Sequence, residues 1–106
     1  MATYRTRGWT ALGDPTRQAI VELLAEGPRA VGDLASELPV SRPAVSQHLK
    51  ILRDAGLVLD SRAGKQRIYR LDPHGLQALR ADLDRFWSRA LAAYKRVVEQ
   101  PEGRSE

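Results

Sequence analysis

Cysteine is absent from the 106 residues. Its absence excludes a disulfide framework, a thiolate metal site and a cysteine nucleophile. Long apolar runs are also missing, because nowhere do about eighteen apolar residues follow one another and the N-terminal region has no signal-peptide pattern. We therefore expect one small domain in the cytoplasm, without a membrane partner.

Catalytic motifs are lacking as well. The two histidines, His48 and His74, stand 26 positions apart without a companion motif. Gly64 is an isolated turn glycine and does not belong to a phosphate-binding loop. With neither a nucleophile and base nor a metal-ligand set, the sequence predicts no enzyme and no cofactor.

Positive charge is concentrated in one part of the chain. Between Ser41 and Arg70 there are seven basic and two acidic residues, whereas the rest of the chain has ten basic and eleven acidic residues. The whole net charge of +4 is therefore due to this stretch. A localised basic region is typical of a surface that binds a polyanion such as nucleic acid.

Apolar periodicity and capping residues predict a mainly helical chain. Asp14-Pro15 and Ser41 are helix start signals, whereas Gly27 and Gly56 are stop signals. Together with apolar residues three and four positions apart, these signals predict five helices, at about residues 4–12, 15–25, 31–38, 41–55 and 73–98.

A β-hairpin is predicted between the last two helices. Leu57 to Leu59 and Ile68 to Leu71 favour strands, with Ala63-Gly64-Lys65 as the loop between them. This order of elements predicts a winged helix-turn-helix fold in residues 1–100, with the hairpin at about 57–71 as the wing and the terminal helices for dimerisation. Residues 101–106 are expected to form a flexible tail.

The helix at about 41–55 is the expected DNA-recognition helix. Its stripe of Val45, Leu49 and Leu52 must face the core, so its polar residues face outwards. The candidates for contact with bases or phosphates are Arg42, Pro43, Ser46, Gln47 and Lys50.

Two of these side chains suit bases best. Arg42 can donate two hydrogen bonds to guanine, and Gln47 can pair with adenine through one donor and one acceptor. Ser46 and Lys50 suit phosphates or water-mediated contacts, and Ser41 is expected mainly to cap the helix close to a phosphate.

Three cations surround the predicted turn of the wing, namely Arg62, Lys65 and Arg67. They are expected to reach the minor groove or the flanking phosphates. The alternative is a merely solvated loop.

The sequence resembles the ArsR-type (arsenic-repressor-like) winged-helix regulators of bacteria and archaea. The resemblance spans about residues 8–98. It lies in the segments 11–17 (ALGDPTR), 33–35 (DLA), 41–52 (SRPAVSQHLKIL), 55–58 (AGLV) and the wing at 62–69. His48 belongs to this motif, where packing or a phosphate contact is expected.

The resemblance implies a homodimer that represses transcription by binding double-stranded DNA at an imperfect palindrome, and we also expect it to bind its own promoter. The dimer-interface candidates, some of which are expected to close the protomer core instead, are Trp9, Leu12, Leu83, Phe86, Trp87, Leu91 and Tyr94.

The chain departs from the metal-sensing members of that family. It has no cysteine on the third helix, and Asp82 and Asp84 lie on different faces of the last one. It therefore resembles a cysteine-free branch, and no metal site is expected. Phe86 and Trp87 could line a pocket for an apolar effector, although such residues usually form core, so the effector stays unknown.

A second use of the same fold is a module that binds protein or RNA without specific DNA readout. Such a module would present an apolar or acidic outer face on the recognition helix. The outer face here is basic and polar.

Overall fold

The computed structural model describes residues 8–100. Residues 8–11 are helical and are labelled α1; residues 4–7 of the predicted first helix and the predicted tail lie outside the described residues. The other helices are α2 (Pro15–Ala25), α3 (Val31–Glu37), α4 (Arg42–Asp54) and α5 (Pro73–Val98), and the strands are β1 (Arg29–Ala30), β2 (Val58–Ala63) and β3 (Gln66–Leu71). No helix in this part of the chain combines the length and apolar character that a bilayer crossing needs.

Capping side chains fix where α2, α4 and α5 begin. The carboxylate of Asp14 accepts a hydrogen bond from the Arg17 amide, the Ser41 hydroxyl accepts one from the Ala44 amide, and Asp72 caps α5 in the same way. Each cap is followed by a proline in the first turn, where its missing N–H is not needed.

The C-terminal end of α4 is a Schellman motif. The Leu57 amide donates to the Leu52 carbonyl, and the Gly56 amide donates to the Arg53 carbonyl. Gly56 has φ of 81°, which a residue without Cβ adopts freely. The motif turns the chain sharply from α4 into β2.

The sheet has three antiparallel strands in the order β1-β3-β2. Strands β2 and β3 form the wing, residues 58–71. Its strands are longer than the sequence predicted, since Ala63 pairs with Gln66 and the connecting loop contains only Gly64 and Lys65. Gly64 has φ of 65° at the first central position, as a type II′ turn requires.

Strand β1 was not predicted. It has two residues, Arg29 and Ala30, which pair with Tyr69 and Ile68. Two residues show no periodicity, and their strand exists only because β3 lies beside them. Through this pairing the loop before α3 is hydrogen-bonded to the wing.

The core lies between α2, α3, α4 and the inner face of the sheet. Its largest fully buried side chains are Ile20, Leu34, Val45, Leu49, Leu52, Leu57 and Val58. The core stops at the base of α5, where Leu76 and Leu79 are only partly buried.

Helix α5 has no buried residue. The radius of gyration is 18.7 Å, against about 13 Å for a compact chain of this length. The molecule is therefore a small core from which a long helix projects.

Candidate nucleic-acid interface

The inner face of α4 is anchored in the core. Val45, Leu49 and Leu52 are fully buried. Because successive residues turn by about 100° around a helix, Pro43, Gln47 and Lys50 point away from this buried stripe, and all three are exposed. Ser41 and Ser46 are also exposed. The core thus holds α4 so that a polar and cationic face meets solvent.

Arg42 is directed differently from Gln47. It lies nearer to the buried stripe, and its guanidinium group passes over Gly32 at the start of α3. A Cβ on Gly32 would lie 3.8 Å from the nearest guanidinium atoms. Arg42 is exposed but sits on the flank of α4, beside the helix-turn-helix corner.

His48 faces the N-terminal end of α2 and is half-buried there. Its Nδ1 lies 3.1 Å from the nearest guanidinium nitrogen of Arg17 and 3.9 Å from a carboxylate oxygen of Asp14. Arg17 also donates from Nε to the Ala11 carbonyl at 2.6 Å. Arg17 therefore joins α1 to α4 through α2, and the His48 ring packs within the protein.

The pKa of the Asp14 carboxyl is lowered at this junction. The hydrogen bond from the Arg17 amide lowers the pKa of the Asp14 carboxyl below its usual 3.8, and the positive charge of Arg17 lowers it further. Burial opposes this effect only in part. The carboxylate that caps α2 is thus held in its charged form.

The three predicted cations of the wing differ in whether they form an ion pair within the protein. Lys65 lies in the turn and Arg62 on β2, and neither forms an ion pair with another residue of the described segment. Arg67 on β3 instead donates to the Asp60 carboxylate at 2.7 Å. Of the three predicted cations, Arg62 and Lys65 are therefore the two that are open to an external anion.

Sequence reasoning missed Asp60, Arg53 and Arg17. Asp60 joins the wing to α4, since Arg53 approaches the same carboxylate oxygen at 3.5 Å. Alternation along β2 places Asp60 on the face of the buried Val58, which could have indicated an inward carboxylate in need of a partner. Nothing in the local pattern indicated which arginines would supply the charge.

An apolar stripe covers one face of α5. Trp87 is 59% and Tyr94 is 68% exposed. The Phe86 ring meets Trp9 of α1 edge to face, with ring centroids 6.4 Å apart. Leu12 packs against the core, whereas the remaining interface candidates, Trp9, Leu83, Phe86, Trp87, Leu91 and Tyr94, are exposed on the protomer.

The aromatic residues of α5 do not line the cavity at the base of that helix. That cavity, of about 350 Å³, lies at the junction of α4 and α5. Its walls include Ala55, Gly56, Leu57, Gly75, Leu79 and Asp82. Within residues 8–100, no group of three or more His, Asp or Glu side chains could hold a metal ion.

Comparison with known proteins identifies the family. Residues 14–59, which include α2, α3 and α4, match the family model of bacterial regulatory proteins described as the arsR family. The HTH-type transcriptional regulator Rv2034 of Mycobacterium tuberculosis is 63% identical over 101 residues, which are 93% of this chain and 94% of that protein. The chain belongs to the ArsR family.

Two further relatives extend the comparison. The HTH-type transcriptional repressor SmtB of M. tuberculosis is 50% identical over 66 residues, which are 62% of this chain and 49% of that protein. A solution structure from Mycobacterium bovis has a TM-score of 0.67 and 27% identity, and covers 87% of this chain and 81% of its own. It is described as a homodimeric winged helix-turn-helix DNA-binding domain of a possible ArsR-family regulator.

These findings confirm the predicted fold class and family. The chain is a DNA-binding regulator of transcription and not an enzyme. The resemblance seen in the sequence and the similarity of the structures therefore lead to the same family.

Proposed function

We propose that this ArsR-family protein is a homodimeric repressor that binds an imperfect palindrome in double-stranded DNA. The exposed face of α4, where Gln47 and Lys50 point away from a fully buried stripe, is the observation that supports this most. A helix anchored in this way fits the major groove with its N-terminal residues towards the base edges. Residues 1–100 act as one domain in this proposal.

Each side chain has an expected partner on the DNA. Gln47 contacts a base edge, and Lys50 and Ser46 contact phosphates. Pro43 packs at the groove wall, while Ser41 caps the helix beside a phosphate. Arg42, on the flank of α4, reaches a base or phosphate at the edge of the site.

His48 and the wing have distinct parts. His48 positions α4 through Arg17, as their 3.1 Å contact supports. Arg62 and Lys65 contact flanking phosphates or the minor groove, and Arg67 contributes mainly through its bond to Asp60.

The exposed stripe on α5 supports a homodimer. A helix of 26 residues without one buried side chain leaves a large apolar face in water, and a second copy would cover it. The structure from M. bovis is described as homodimeric. A two-fold dimer would set its two α4 helices about one turn of DNA apart.

Repression and location are the finer parts of the proposal. The relative SmtB is named a repressor, and a dimer bound at a promoter would repress by excluding RNA polymerase. We place the protein in the cytoplasm, where bacterial DNA is found.

The proposal is tested by footprinting the promoter of the protein's own gene at physiological salt. We expect a protected site of about twenty base pairs, as two half-sites one helical turn apart require, and weaker protection as salt rises because phosphate contacts release counterions. No protected site would contradict autoregulation. Preference for single-stranded RNA or for a protein over duplex DNA would instead favour the alternative module.

A further inference from the structure

The Asp60 carboxylate connects the wing to the end of α4. Its Oδ2 accepts a hydrogen bond from Arg67 on β3 at 2.7 Å and lies 3.5 Å from an Arg53 nitrogen in the last turn of α4. Both guanidinium groups approach the same oxygen. One carboxylate therefore makes polar contacts with both elements of the proposed DNA interface.

This contact differs from an ordinary surface ion pair. Exposed pairs contribute little because water screens them and both side chains are mobile. The Asp60 side chain is only 13% exposed and is short, so it fixes the positions of two longer partners. Shielding from water also strengthens hydrogen bonds to a charged group.

The register of the wing places two positive charges next to each other, close to this carboxylate. Arg62 and Arg67 are directly paired across β2 and β3, and like charges in that arrangement repel. Asp60 lies two residues from Arg62 on the same face and binds Arg67. It therefore offsets a repulsion that would otherwise loosen the wing close to its turn.

We propose that Asp60 is a positioning residue that sets the specificity of DNA binding by fixing the wing relative to α4. Arg53 and Arg67 then belong to the scaffold, while Arg62 and Lys65 remain to contact DNA. The inference rests on the proposed function and extends it, because it assigns a role in DNA recognition to an acidic residue.

Loss of the Asp60 charge and loss of a positioning role should change the affinity for DNA in opposite directions. Removing a negative charge near a polyanion should strengthen all DNA binding if nothing else changes. Loss of a positioning residue should instead weaken binding only where the wing and α4 must contact the DNA in a fixed relation. Specific and random DNA should therefore respond in opposite directions.

The test compares Asp60→Asn with the wild type on two duplexes of equal length. One carries the sequence protected or selected by the wild type, and the other carries a scrambled sequence. We expect about a tenfold loss on the first duplex, as for a lost hydrogen bond to a charged group, and equal or tighter binding on the second. Asp84→Asn, on exposed α5, is the matched control because it removes the same charge and should change neither affinity.

A double-mutant cycle shows whether Arg67 acts through Asp60 or contacts DNA itself. If Arg67 acts through Asp60, Asp60→Asn combined with Arg67→Gln should lose no more specific affinity than either single change. Additive losses would show that Arg67 binds DNA independently. Tighter binding of Asp60→Asn to both duplexes would overturn the proposal.

Hydrogen exchange in the DNA-free protein separates this inference from the proposed function. Wing amides in Asp60→Asn should exchange several-fold faster, relative to the core amides of α4, whereas Asp84→Asn should match the wild type. Unchanged relative exchange would overturn the positioning role even if the wild type binds DNA specifically. A wild type that selects no DNA sequence would overturn the proposed function and the specificity role, and leave the exchange result to decide whether Asp60 fixes the wing.

Discussion

Gln47 and Lys65 lie on two elements that should meet different parts of the DNA. Gln47 is on the outward face of α4, and Lys65 is in the turn of the wing. Gln47→Ala should lose about 1 to 3 kcal/mol at the specific site and little on random DNA, because a base contact is lost. Lys65→Ala should weaken binding to the specific site and to random DNA alike, because a phosphate contact is independent of sequence.

Binding titrations on the two duplexes measure these losses. The slope of affinity against salt should decrease for Lys65→Ala and stay unchanged for Gln47→Ala. Equal losses on both duplexes for Gln47→Ala would remove Gln47 from the residues that contact bases.

Asp14 gives a prediction on pH. Because the pKa of Asp14 in the folded protein is lowered below 3.8, its charged form stabilises the fold above that pH. This stabilisation is lost as the pH falls through the lowered value. Asp14→Asn keeps a capping oxygen but cannot titrate, so its free energy of unfolding should decrease less than that of the wild type between about pH 5 and pH 3.

Urea unfolding of both proteins across this pH range measures the difference. The two curves should converge at the acidic end, where the Asp14 carboxyl becomes protonated. Curves that stay parallel would show that the Arg17 amide and charge do not stabilise the carboxylate.

Single residues were predictable where their role is local. Ser41 and Asp14 cap helices as predicted because a cap depends on the next three residues. The direction of Arg42 and the contact between His48 and Arg17 depend on how α3 and α2 pack against α4. Such long-range geometry is not encoded in a short motif.

Among the elements, α5 is fixed to α4 by a close approach of two glycines. A Cβ on Gly75 would fall directly onto the carbonyl oxygen of Gly56. Replacing glycine by alanine within a helix normally stabilises it by up to about 1 kcal/mol. Gly75→Ala should instead destabilise the protein by about 1 to 3 kcal/mol, because the base of α5 must move away from the end of α4.

Gly32→Ala is the matched control. Its Cβ would make only ordinary contacts with Arg42, at 3.8 Å, so the change should be neutral or slightly stabilising. Urea unfolding compares the two variants. Equal stabilisation by both would contradict the close packing of α5 on α4.

Helices were more predictable than strands for a physical reason. Helical hydrogen bonds and caps join residues close in sequence, so α2, α4 and α5 begin directly after the capping residues Asp14, Ser41 and Asp72. Strand β1 depends on a partner 38 to 40 residues away, at Ile68 and Tyr69. The contact of Asp60 with Arg53 likewise needs β2 to return alongside α4.

At the scale of the whole molecule, the apolar face of the projecting α5 is largely exposed within residues 8–100, where Trp87 and Tyr94 are each more than half exposed. Trp87→Lys should weaken dimerisation by tenfold or more, since a large aromatic side chain at the centre of an interface contributes strongly. The protomer should stay folded because Trp87 lies outside its core. Arg89→Ala, two positions away on the other side of α5, should leave the dimer intact.

Sedimentation velocity over a range of protein concentrations measures this effect, with circular dichroism to check the fold. A Trp87→Lys protein that remains fully dimeric would show that another surface forms the dimer. A wild type that is monomeric at every concentration would contradict the dimer itself.

Charge distribution and symmetry together define what the whole molecule should recognise. The excess positive charge lies in α4 and the wing, and two copies joined through α5 would present it twice, related by a two-fold axis. A DNA site for such an assembly must be an inverted repeat. The spacing of its halves is fixed by the dimer and not by one protomer.

Selection from a random library of duplex DNA tests this account most directly. The purified protein should enrich an imperfect palindrome whose half-site centres are about 10 base pairs apart or a multiple of that distance, and Gln47→Ala should lose the preference at one position in each half. Enrichment of no sequence, or of a sequence without two-fold symmetry, would contradict the binding of a two-fold dimer to a palindromic DNA site.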